Sequence, residues 1–143
     1  MLIQVGYLDI VKYLVEHGAI IRDVNYAAKY GHLPIVKYFS ELGRDNLWML
    51  IDAVYYGHFD IVKWLIENTN VNINALPNYA LSGALGSAVA NNHLKIAKYL
   101  VEHGADIHIR NDYIFEISHL LTDEMKNYIK SLVPPGYVPL YER

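Results

Sequence analysis

The sequence predicts an all-α solenoid of stacked antiparallel helix pairs, and three observations predict it. A fourteen-residue pattern, GYLDIVKYLVEHGA at residues 6–19, returns as GHLPIVKYFSELGR at 31–44, GHFDIVKWLIENTN at 57–70 and NHLKIAKYLVEHGA at 92–105. Every copy carries apolar residues at helical spacing, and a shorter helical signal precedes the second, third and fourth. The steps between copies are 25, 26 and 35 residues. Recurrence on this scale marks an array in which no unit buries its apolar face alone and neighbours complete the core. A chain of 143 residues is long enough for one domain, or for a short run of such units.

The repeated element is an amphipathic helix of about three turns. In the first copy Ile10, Val11, Leu14 and Val15 form one stripe, with Asp9, Lys12 and Glu16 off it. Asp9 and Asp60 stand in the first turn, where a negative charge suits the helix dipole, and Pro34 takes that place in the second copy. Gly18, Gly43 and Gly104 follow the last apolar position and end the helix through a positive φ. Thr69 replaces them in the third copy, which predicts a looser ending. The preceding helices read DVNYAAKY at 23–30, WMLIDAVYY at 48–56 and GALGSAVAN at 83–91. Aligned on the following Gly or Asn, Val24, Leu50 and Leu85 coincide, as do Ala27, Ala53 and Ala88. An apolar residue followed three later by Ala predicts a helix pressed closely on its neighbours.

These residues resemble the ankyrin repeat family. The resemblance rests on the G-H-x-x-I-V-K-x-L-x-x-x-G-A signal within 31–43, 57–65 and 92–106 and covers roughly residues 1–132. The family's T-P-L-H-x-A is poorly kept: RDVNYA, WMLIDA and GALGSA retain the apolar third residue and the final Ala. Against the family period of about 33 residues, the two short steps imply that the β-hairpins between units are clipped, at 19–22 and 44–47. The 35-residue step, through 70–86, is long enough to keep a finger-like loop. Such a divergent array resembles those of large DNA viruses. The resemblance implies ankyrin repeats over 1–110, the first truncated because only 1–5 stand where its leading helix belongs. A divergent capping helix pair follows over 111–132, with Thr122 as N-cap, and a proline-rich tail over 133–143. The truncated first unit leaves its stacking surface half covered, which makes self-association, or membership of a longer array, one reading of the chain.

Composition narrows the chemistry. At 53% hydrophobic and 19% charged the chain is a folded one, and a net charge of −3 offers no basic field to nucleic acid. The absence of cysteine removes disulfides, thiolate metal sites and a cysteine nucleophile. The opening MLIQVGYLDIVKY has neither a basic run before Asp9 nor a long apolar stretch, which predicts no signal peptide or membrane span and an intracellular, cytoplasmic setting. His32, His58 and His93 share one register. Stacked axes about 8 to 10 Å apart cannot bring such residues to the ~2 Å of one zinc, so no metal is expected. The resemblance assigns these rings a structural bond to backbone in the turn. His17 and His103 are expected near negative helix ends. Lys12, Lys37, Lys63 and Lys98 each precede a Glu by four residues, a solvated charge pattern. No serine has a nucleophile-elbow context and no phosphate loop appears, so neither catalysis nor a cofactor is expected.

The partner surface is sought in the residues that vary. Tyr30 and Tyr56 immediately precede Gly-His, with Lys29 beside one and Tyr55 beside the other; Tyr26 and Asp52 share a second register. Ala90 and Asn91 replace Tyr55 and Tyr56 in the later unit. The resemblance places these positions on the concave face, where ankyrin repeats take protein partners, and tyrosine suits such work through its rigid area and hydroxyl. In the tail, Pro134, Pro135 and Tyr137 form a PPGY sequence resembling the ligands of WW domains. Such a ligand is a polyproline II segment in a flexible tail, and the chain would then be an adaptor recruiting a WW-domain ubiquitin ligase.

Overall fold

The computed structural model describes residues 3, 6–76, 83–139 and 142, with the backbone alone at 110 and 111. The chain divides into two compact units, Met1–Val71 and Asn72–Arg143. Among the described residues all regular structure is helical. The first unit holds α1 (Leu8–Glu16), α2 (Tyr26–Lys29), α3 (Leu33–Glu41), α4 (Asn46–Tyr56) and α5 (Phe59–Asn68). The second holds α6 (Gly83–Ala90), α7 (Leu94–Glu102), α8 (Ile109–Glu116), which runs into a 3-10 turn (Ile117–Leu120), and α9 (Asp123–Ser131). Of the expected finger loop, 77–82 lie outside the described residues.

Within a pair, one turn chemistry recurs. Gly31 takes φ +78°, its N–H donates to the Ala28 carbonyl, and the His32 N–H donates to the Ala27 carbonyl at 2.8 Å. These are the two bonds of a Schellman ending. Gly57 repeats it, with His58 bonded to the Ala53 carbonyl at 2.8 Å, and Asn92 does so at φ +57°, with His93 bonded to Ala88 at 2.9 Å. The three alanines are fully buried, so the sequence register Ala27, Ala53, Ala88 marks the carbonyls that receive the turn. The next helix starts at once on the histidine. His32, His58 and His93 are N-caps whose side chains make no capping bond to their own helices.

The rings of His32 and His58 turn instead toward the preceding repeat of the first unit. His58 Nε2 donates to the Lys29 carbonyl at 2.8 Å. A Cβ built on Gly31 would stand 2.8 Å from His58 Cε1, and one on Gly6 would stand 2.8 Å from His32 Nδ1. Glycine is therefore required twice over at this turn, by its φ and by the imidazole seated on it. Gly18, Gly43 and Gly104 end α1, α3 and α7 with the same pair of bonds, but nothing lies within 4 Å of a Cβ there, so only φ requires them. α5 ends differently. Thr69 is extended and its hydroxyl donates to the Leu65 carbonyl at 2.6 Å, so the expected looser ending is instead a side-chain-bonded one.

Lys12, Lys37 and Lys98, each preceding an aromatic residue in its copy, also reach outward. Lys12 Nζ lies 5.5 Å from the Tyr38 ring centre and Lys37 Nζ lies 5.7 Å from that of Trp64, each in the next repeat of the first unit. In the second unit Lys98 Nζ lies 5.6 Å from Tyr128 on α9. The recurrent Lys-aromatic dipeptide thus links neighbours by cation–π contacts of about 0.5 to 1 kcal/mol at exposed sites, a use the Lys-to-Glu spacing did not suggest. His17 and His103 donate from Nδ1 to the Tyr13 and Tyr99 carbonyls at 2.7 Å, occupying helix-end acceptors as their position implied.

The first unit's core is Ile35, Val36, Phe39, Met49, Leu50, Ile61, Val62 and Leu65; the second's includes Leu85, Ile96, Leu100, Ile114, Met125 and Ile129. Ile10 holds the register of Ile35 and Ile61 yet is 45% exposed, whereas those two are fully buried. Ile35→Ala should therefore cost about 2 to 5 kcal/mol in denaturant unfolding, and the same truncation at Ile10 less than about 1 kcal/mol.

Candidate functional site

The sequence-predicted residues of the first unit converge. α2 carries Tyr26 and Lys29 with Tyr30 at its end, and α4 carries Asp52, Tyr55 and Tyr56. Because the inward positions of α4 are filled by Met49, Leu50, Ala53 and Val54, these polar and aromatic residues are left outward. Lys29 is their hub: its Nζ lies 5.6 Å from the Tyr26 ring centre, 5.4 Å from Tyr30 and 5.3 Å from Tyr56. Tyr55 meets Tyr56 edge-on at 5.0 Å. The four tyrosines are between 38% and 50% exposed, so they are supported at one side and open at the other.

The cluster perturbs its own charges. Hydrogen bonding to the Tyr56 hydroxyl holds the Lys29 ammonium above its ordinary pKa, desolvation working against it. Burial pushes the half-buried Asp52 carboxyl up, while the hydrogen bond donated by Asn25 Nδ2 and the Lys29 charge pull it down. The site thus offers partly exposed tyrosine rings, one cation held among them, and a half-buried carboxyl that burial pushes up. No nucleophile with a base is among them, and among the described residues no group of three or more His, Asp or Glu is placed to hold a metal.

Ala90 and Asn91 belong to the second unit. Ala90 is exposed, and the Asn91 amide donates to the Ser87 carbonyl at 2.8 Å, so α6 itself carries no counterpart of Tyr55 and Tyr56.

The tail departs from expectation. Tyr137 N–H donates to the Pro134 carbonyl at 3.1 Å and Gly136 has φ +80°, which with Pro135 between them is a type II turn rather than a polyproline II segment. Nor is the tail free. The Tyr137 hydroxyl donates to Asp112 Oδ2 at 2.7 Å and lies 3.1 Å from His108 Nδ1, while its ring packs 5.5 Å from Phe115. Asp112 is fully buried, is also bonded by His108 Nδ1, and takes φ +66° inside α8. A non-glycine residue with that backbone persists only where its surroundings hold it.

The family model described as ankyrin repeats, in three copies, matches residues 24–111. The chain belongs to the ankyrin repeat family. It is similar to alpha-latrocrustotoxin-Lt1a of Latrodectus tredecimguttatus, at 30% identity over 87% of this chain and 10% of the toxin. An ankyrin repeat protein of Acanthamoeba polyphaga mimivirus is 36% identical over 80% of this chain and 43% of its own length. One from Fowlpox virus is 31% identical over 80% and 28%. The chain therefore spans less than half the length of each of these relatives, two of which come from large DNA viruses. Ankyrin repeats generally mediate protein–protein interaction, and no described helix is long and apolar enough to cross a membrane.

Three groups carried no sequence signal of their role. Asn25 meets Asp52 from 27 residues away, and His108 and Asp112 meet Tyr137 from 29 and 25. His58 was legible as a turn residue, but not as the clamp on the carbonyl of the same Lys29 whose side chain gathers the tyrosines.

Asp52 gives a pH test. Its carboxyl holds a proton more tightly folded than unfolded, so its cost is absent below the unfolded pKa, grows as pH rises through the window between the two values, and is complete above it. Asp52→Asn, which keeps an acceptor for Asn25, should raise the melting temperature at pH 7, with the gain disappearing near pH 3.

Proposed function

We propose that this chain is a non-catalytic protein-binding module whose partner is taken on the aromatic surface of the first unit. Tyr26, Tyr30, Tyr55 and Tyr56 supply contact area, and Lys29 with Asp52 supply polar selectivity. The observation that carries this reading is the placement of Lys29 Nζ within 5.6 Å of three partly open rings. A cluster already held in place loses little conformational freedom on binding, which is what makes tyrosine and a fixed cation effective anchors. The perturbed carboxyl of Asp52, which burial pushes up, supports the same reading. In this scheme Ala90 and Asn91 vary the surface in the second unit.

Truncating Tyr30 and Tyr56 together to Ala should abolish capture of partners by the tagged chain while far-ultraviolet circular dichroism is unchanged. An identical set of captured proteins would sink the proposal. Self-association is the competing reading, favoured by the 45% exposure of Ile10 and 56% exposure of Tyr7 on α1 and its N-terminal turn. Light scattering across a concentration series separates them: a constant monomer mass excludes it, and a rising mass that Ile10→Asp reverses supports it.

A further inference from the structure

We propose that the Pro134–Tyr137 segment is a ligand for a WW domain that the chain keeps masked, with Asp112 and His108 holding the tyrosine until the turn opens. This is independent of the tyrosine surface of the first unit. A WW groove reads two prolines and a tyrosine along one extended polyproline II strand. Here the two prolines are exposed and reachable, but the turn at Gly136 folds the tyrosine back, its hydroxyl on Asp112 and its ring on Phe115. The three residues the groove must read together are thus divided between solvent and the protein's own surface.

The contact is built to open. Gly136 occupies a left-handed conformation with nothing within 4 Å of a Cβ, so it is needed for its φ and not for space, and glycine passes to the extended form without steric cost. When Tyr137 leaves, the buried Asp112 carboxylate keeps its bond from His108 Nδ1, so opening does not orphan a buried charge. A cavity of about 360 Å³ already lies beneath the segment, lined by Phe115, Ser118, Ile129 and Val133 and flanked by Lys126 and Lys130. Within the segment Pro134, Pro135 and Gly136 are exposed and Tyr137 is partly buried. Closure withholds the ligand in proportion to the closed population, so weakening the closed form tightens binding without any change in the groove's contacts.

The test is calorimetric titration of the full chain with an isolated WW domain of the class that takes Pro-Pro-x-Tyr ligands. Gly136→Ala strains the turn at the one motif position the groove does not read, and should bind about tenfold more tightly than the native chain, the size of a left-handed backbone penalty. Asp112→Gly, which suits the φ of +66° while removing the carboxylate, should do the same, with circular dichroism confirming that the helices remain. Tyr137→Ala should abolish binding in each background. Equal affinity of native and Gly136→Ala chains overturns the mask. Binding by neither, or binding that survives Tyr137→Ala, overturns the WW partner.

Discussion

The seating of one repeat's histidine ring on the glycine turn of the repeat before it is the constraint on which the first unit depends. Glycine at 31 permits the left-handed turn that ends α2, and its missing Cβ is the space that the His58 ring fills. The ring then donates to the Lys29 carbonyl, an acceptor freed by the helix end. One side chain thereby fixes the distance and rotation between two helix pairs. Gly6 and His32 repeat the arrangement one step earlier, which is why the Gly-His pair recurs as a unit.

That constraint also connects scaffold to surface. Lys29 is held at its carbonyl by His58 and gathers three tyrosines with its ammonium, so the geometry of the cluster is set by the stacking of the repeats beneath it. Because the helix pairs are already registered by backbone and imidazole, the outward positions of α2 and α4 are released from structural duty. They can carry tyrosine in one repeat and alanine in another without loss of the stack. The cation–π contacts from Lys12 and Lys37 to the next repeat add to the same registration on the surface of the second helices.

The parts of this fold that are periodic were legible in the sequence. Helix faces, buried alanines, turn glycines and the Thr122 cap, whose hydroxyl accepts from the Met125 N–H, all follow from spacing and from local backbone chemistry. The outward register of Tyr26, Tyr30, Asp52, Tyr55 and Tyr56 was legible only through the resemblance to ankyrin repeats. What was not legible depends on contacts between distant, non-repeated positions. Asn25 on Asp52 and Asp112 on Tyr137 have no periodic counterpart, and nothing near Pro134 distinguishes a turn from an extended strand until Asp112 supplies an acceptor for the tyrosine. The Lys-aromatic contacts were an intermediate case. The dipeptide recurs in all four copies, but its spacing to Glu suggested only a solvated charge pattern, and the neighbouring aromatic rings show where the ammonium goes at Lys12, Lys37 and Lys98.

The most direct test of this account is a double-mutant cycle between Gly31→Ala and His58→Ala, read by denaturant unfolding. If the ring occupies the space of the missing Cβ, removing it relieves the clash that Gly31→Ala creates. The double variant should then be less destabilised than the sum of the single ones by about 1 kcal/mol or more. Additivity within about 0.3 to 0.5 kcal/mol would contradict the claim, leaving Gly31 required for its φ alone and the repeats registered by some other contact.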